Sequence, residues 1–125
     1  MAEGRGGAVV AMAVICLLVV ALQCEAASFV VGDKAGWTMN IAGWEKGKTF
    51  KAGDTLVFNY QKGQHNVVVK KDPDDISMCS LHPDDKEYKS GKDTITLNKG
   101  PNYIICSFRH HCPQMKLYIN ASWPI

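Results

Sequence analysis

Four side chains of this sequence make a coherent set of metal donors. Cys106, His111 and Met115 fall close together near the C-terminus, and His65 lies upstream, leading into the apolar run Val67-Val68-Val69. One thiolate, two imidazoles and one thioether describe a trigonal His2Cys site with a weak axial Met, a ligand set suited to single-electron chemistry at copper. Soft sulfur favours copper(I) while imidazole nitrogen accepts copper(II), so the mixed set can serve both oxidation states.

Other chemistries fit these residues less well. Cys106 with His111 resembles a nucleophile and its base, but no third orienting group and no oxyanion-hole pattern accompanies them. A His2Cys set also suits zinc, although a thioether fourth ligand argues against a dedicated zinc site. Four histidines are too few for multicopper oxidase chemistry. A lone His on an apolar strand is usually a hydrogen-bonded core residue, and a lone Met is usually core filler. It is their joint register that lifts His65 and Met115 above those readings. His82 and His110 are expected on the surface.

The elements that must carry these donors read as strands. Leu56, Phe58 and Tyr60 alternate with Thr55, Val57 and Asn59, and Ile95 and Leu97 alternate with Thr94, Thr96 and Asn98. Turn residues separate the runs at Gly43, Gly47, Gly53-Asp54, Gly63, Asp72-Pro73, Ser90-Gly91 and Gly100-Pro101. Short alternating strands at this spacing predict an all-β sandwich. No long amphipathic helix is legible, and Asp74 to Cys79 and Pro83 to Tyr88 are each predicted to form at most a short helical turn. Period two puts His65 on one face with Val67 and Val69, the two predicted core residues of that strand. It likewise puts Cys106 with Ile104 and Phe108, and Met115 with Leu117 and Ile119. His111 falls in the loop between two strands, so the four donors converge at one end of the sandwich.

Arg5, the apolar stretch Ala8 to Leu22 and the small residues around Cys24-Glu25-Ala26 have the form of a cleaved signal peptide over residues 1–26, with cleavage after Ala27 as the alternative. The remaining 27–125 is one domain. Setting aside Glu3, Arg5 and Glu25 leaves 13 basic and 10 acidic residues, a net +3. The lysines are scattered with no aromatic interleaving, so nucleic acid is not an expected partner. Three cysteines remain in 27–125: Cys79, Cys106 and Cys112. An odd count in an oxidising compartment implies one disulfide and one thiol protected by burial or by a metal. Asn120-Ala121-Ser122 is an N-glycosylation sequon, with Asn120 on the strand face opposite Met115. The closing residues carry no hydrophobic tail, so no membrane anchor is expected in the mature chain.

Several motifs together resemble the phytocyanins, and among them the plantacyanin subgroup. They are Gly36-Trp37, Trp44-Glu45-Lys46-Gly47-Lys48, Phe50-Lys51-Ala52-Gly53-Asp54, Gln64-His65-Asn66-Val67-Val68-Val69, Tyr103-Ile104-Ile105-Cys106, His111-Cys112 and Met115-Lys116-Leu117. The resemblance implies a cupredoxin fold, a Greek-key sandwich of about eight strands in two sheets, with one type 1 copper. By position it makes His65, Cys106 and His111 the equatorial ligands, Met115 the axial one, and Cys79 with Cys112 the disulfide. It further implies a secreted, monomeric carrier of single electrons and not an enzyme, with the edge of His111 as the electron's exit. Its partner would be an extracellular redox protein or a small-molecule reductant.

The sequence departs from the family pattern at two places. Only Cys112, Pro113 and Gln114 separate His111 from Met115, one residue fewer than usual, which makes Gln114 a rival axial ligand. Arg109-His110 stands where Pro-Gly is usual. The short loop also sustains a second reading, an extracellular interaction or signalling protein in which copper is vestigial or structural.

Overall fold

The computed structural model describes residues 25–72 and 79–123. The predicted leader falls almost wholly outside them, as does most of the helical turn predicted from Asp74. Seven strands are formed: β1 (Ser28–Val30), β2 (Thr55–Asn59), β3 (Val67–Val69), β4 (Lys86–Tyr88), β5 (Lys92–Thr96), β6 (Gly100–Ile105) and β7 (Lys116–Ala121). They build a three-stranded sheet, β1-β2-β5, and a four-stranded sheet, β4-β3-β6-β7. β1 runs parallel to β2, and every other pairing is antiparallel.

Burial follows the predicted period. β7 alternates strictly, with Leu117, Ile119 and Ala121 inside and Lys116, Tyr118 and Asn120 outside. The two inner faces meet in one core: Leu56, Phe58 and Ile95 come from the first sheet, and Val67, Ile104, Leu117 and Ile119 from the second. Full burial of each such side chain contributes about 1.5–3 kcal/mol. Trp37, Val31 and Phe50 from the connections complete the core.

The predicted sandwich of about eight strands in two sheets is borne out, with seven strands formed among the described residues. Between β1 and β2 the chain runs as turns and a 3-10 turn at Asp33–Ala35, and it is tied to the second sheet by the Lys51 to Ser122 bridge and by Tyr118 N, which donates to Glu45 Oε2 at 2.9 Å. Pro83 to Tyr88 is not a helical turn: only residues 83 and 84 turn, and Lys86–Tyr88 is strand β4. Cross-strand pairing with Val67–Val69 outweighs the local preference there. Within β3 the fully buried pair is Val67 and Val68, while Val69 is partly buried. Val68 lies on the other face with Ile105 and Cys112 in a smaller apolar cluster, so β3 is covered on both sides.

Gly36 is required by close packing. Its φ is 76°, and a Cβ there would lie 2.5 Å from the Asn59 carbonyl oxygen. That approach lets the Trp37 N–H donate to the same oxygen at 2.8 Å. The Trp37 ring then sits edge-on to Phe58 with centroids 4.9 Å apart.

Candidate metal centre

The four predicted donors sit at strand ends. His65 lies two residues before β3, Cys106 directly follows β6, and Met115 directly precedes β7. His111 opens the 3-10 turn Cys112–Gln114 as its N-cap residue. One donor atom from each of His65, Cys106 and His111 lies within 4.8 Å of the others. The two imidazole Nδ1 atoms are 3.1 Å apart, and Cys106 Sγ is 3.6 Å from His111 Nδ1. Protein ligands at about 2.0–2.3 Å from a shared ion are separated by such distances, so these residues fit a single metal. Met115 is fully buried and its backbone oxygen accepts from Cys106 N at 3.0 Å, which places it alongside the thiol. Gln114 is exposed, and it contributes its backbone instead: its carbonyl oxygen accepts from Ile41 N at 2.9 Å and Ala42 N at 3.0 Å.

The shortened loop is accommodated by tight local bonds. His111 N donates to Phe108 O, Gln114 N to His111 O, and Met115 N to Cys112 O, all at 3.0–3.1 Å. Pro113 suits such a turn because it lacks the N–H that would be unpaired. Met115 therefore reaches the interior with one residue fewer. His110 takes a φ of 68°, a left-handed conformation that a glycine would adopt at lower cost.

A profile of the plastocyanin-like domain matches residues 37–116. The chain belongs to this family. It is similar to the basic blue protein of Arabidopsis thaliana, at 48% identity covering 97% of this chain and 99% of that one. It also resembles chemocyanin of Lilium longiflorum, at 43% identity over 98% of this chain and 100% of the other. Among solved structures, cucumber basic protein, a blue copper protein, superposes with a TM-score of 0.72 at 48% identity, covering 76% of this chain and 99% of that one. Cucumber stellacyanin superposes at 0.70 with 28% identity, over 79% of this chain and 98% of its own. The phytocyanin resemblance and the cupredoxin-like fold are thereby borne out. A buried thiol, two facing imidazoles and an adjoining thioether in a plastocyanin-like protein make a site for one type 1 copper.

The polar surroundings of this plastocyanin-like site are ordered. Asn66, with no exposed surface, ties the two ligand segments together. Its Oδ1 accepts from Ser107 N, and its Nδ2 donates to Ser107 Oγ and Glu87 Oε2, each at 2.8 Å. Trp37 Nε1 donates to the Asn66 carbonyl at 2.9 Å, which anchors the His65 segment to the core. Burial pushes the Cys106 thiol pKa up, and the backbone N–H groups of Asn66 and Phe108, which donate to the sulfur, partly offset this. The same donors would stabilise a thiolate once a metal displaced its proton. Burial, and then the facing His111, pull the His65 pKa down, which favours the neutral ring that a metal requires.

Cys79 and Cys112 are joined by a disulfide, and Cys106 is the buried free thiol. The bridge fixes the residue after His111 to the segment that precedes β4. That segment is held a second time by a buried ion pair. Lys70 Nζ lies 2.6 Å from Asp85 Oδ2, with side chains 0% and 2% exposed, and also donates to Ser80 O. Burial raises the Asp85 pKa, but hydrogen bonds from Lys70 and from the N–H groups of Lys71 and His82 outweigh it, and the net shift is downward. Sequence reasoning missed Asn66 as a brace, the Lys70–Asp85 pair and the Tyr60–Asp93 contact beside His65. Only Asn66 left a trace in the sequence, as the polar residue between a ligand and an apolar run.

Proposed function

We propose that this plastocyanin-like protein carries single electrons on one copper held by His65, Cys106, His111 and Met115. The observation that carries the reading is the convergence of two imidazole nitrogens and the only free buried thiol among the described residues on one point. When bound, copper supplies a couple that gains and loses one electron. Cys106 provides the thiolate, shielded from solvent and, with Cys79 and Cys112 already paired, from disulfide formation. His65 is buried and rigidly backed by the Asn66–Trp37 contacts. His111 is only partly buried, so its ring is the shortest path from the site to the surface and the exit for the electron. Met115, buried next to the thiol's segment, would supply a weak thioether donor that tunes the potential. The similarity to blue copper proteins supports reading the protein as a carrier and not an enzyme.

We place the carrier outside the cell, as a monomer. The 79–112 disulfide suits an oxidising compartment, and residues 1–26 have the composition of a cleaved leader. Among the described residues no helix is long and apolar enough to cross a membrane. Asn120 is exposed on β7, where a glycan would meet solvent. The partner is an extracellular redox protein or small-molecule reductant approaching the His111 end. Replacing Cys106 by Ser should abolish the intense thiolate-to-copper absorption while the folded far-UV circular dichroism persists. A variant that keeps the band would overturn the ligand assignment.

A further inference from the structure

Against the His65 ring the structure gathers a second polar group. Tyr60 follows β2, and its ring packs edge-on against the His65 ring, centroids 6.4 Å apart. The Tyr60 hydroxyl donates to Asp93 Oδ2 and lies 3.4 Å from Tyr88 O. Asp93 Oδ1 accepts from Ser90 Oγ at 2.5 Å and from Ser90 N at 3.4 Å. Asp93 occupies an inward position of β5, in step with Ile95, and is 6% exposed. Every one of its donors is neutral, and among the described residues it forms no ion pair. A carboxylate at a core-facing strand position costs stability that an apolar side chain would not. What it provides is a fixed negative charge behind one ligand and a fixed phenol against that ligand's ring.

We propose that Asp93 is a positioning and tuning residue of the copper centre: it clamps Tyr60 against the His65 ring, and its buried charge favours the oxidised, more positive state. The inference rests on the electron-carrier reading above. Tyr60 remains the donor in this pair, since burial and then the hydrogen bond and charge of Asp93 push its pKa up to about 12. An anion in a poorly solvated position acts on a nearby metal more strongly than one at the surface, because less solvent screens it. The Tyr60 contact with the ring, together with the anchoring of the neighbouring Asn66, also limits the movement of His65 when the charge on the metal changes.

Asp93→Asn keeps the shape and an acceptor oxygen but removes the charge, whereas Tyr60→Phe keeps the charge and removes the hydroxyl. In copper-loaded protein, Asp93→Asn should raise the midpoint potential by the equivalent of at least a threefold shift toward copper(I). At 59 mV per decade for one electron, that is about 28 mV. The blue band should keep its position, and Tyr60→Phe should move the potential by less than half as much. In apo-protein, the Tyr60 hydroxyl proton should move upfield in the NMR spectrum of Asp93→Asn, as a charge-assisted bond becomes a neutral one. A potential unmoved by Asp93→Asn, or moved equally by Tyr60→Phe, overturns the tuning role. An unshifted hydroxyl proton overturns the clamp, and that arm needs no metal, so it stands even if the protein never forms a blue centre.

Discussion

Met115 and Gln114 offer the sharpest single perturbation, because the fold separates two neighbours that the sequence leaves in competition. The Met115 side chain is fully buried, whereas Gln114 is exposed and is tied to the protein by its carbonyl. Truncating Met115 to Ala removes three buried heavy atoms and should cost about 2–5 kcal/mol of apo-protein stability. Met115→Leu nearly conserves volume and should cost less than about 1.5 kcal/mol. Gln114→Ala should stay within about 0.5 kcal/mol. Against a typical total of about 5–15 kcal/mol, the first loss is large enough to read in a urea titration. The redox arm follows from charge. A weak axial donor stabilises copper(II) more than copper(I), so Met115→Leu should raise the midpoint potential while Gln114→Ala leaves it nearly unchanged. Urea unfolding and voltammetry of all three variants decide the matter. If Gln114→Ala shifts the potential more than Met115→Leu, or Met115→Ala costs under about 1 kcal/mol, the argument from burial is wrong.

The remaining predictions concern the supports of the site. Asp85→Asn removes the carboxylate charge that the buried Lys70 ammonium meets at 2.6 Å and should destabilise the fold by about 3–5 kcal/mol at pH 7, measured by urea unfolding. Because the folded pKa of Asp85 is depressed, its stabilisation is full above the unfolded value of about 3.9 and is lost as pH falls through the folded value. The gap between wild type and Asp85→Asn should therefore narrow in acid, and a gap independent of pH would contradict the pairing. Replacing Cys79 and Cys112 together by Ser removes a link across 33 positions and should lower stability by about 3–4 kcal/mol. At about 4–8 °C per kcal/mol, calorimetry should then record a fall in Tm of more than 10 °C. Gly36→Ala should cost about 1–3 kcal/mol through its positive φ and the Asn59 contact, and a neutral result in thermal melts would show that the loop can move aside.

The donors were legible in the sequence because strand periodicity and cysteine parity are local or countable properties. Alternation puts Leu117 and Ile119 inside and Asn120 outside, and the strand that carries them begins one residue after Met115. The supports were not legible, because each joins segments far apart in the chain. Asn66 meets Ser107, Lys70 meets Asp85, and Tyr60 meets Asp93 only after β3 has paired with β6 and β4, and β2 with β5. Strand β4 was hidden for the same reason. Lys86-Glu87-Tyr88 has no apolar alternation of its own and is held by pairing with β3. The short loop before Met115 became interpretable only through the 3-10 turn at Cys112–Gln114, which depends on hydrogen bonds that spacing alone does not specify.

His65, Cys106, His111 and Met115 are proposed to hold one redox-active copper. Titrating purified apo-protein with copper(II) while recording the visible spectrum, then adding ascorbate and an oxidant in turn, is the decisive measurement. An intense blue band should saturate at one copper per chain, bleach on reduction and return on oxidation. A pale, weakly bound copper(II) species with no thiolate band, or a band that does not return, would contradict that assignment.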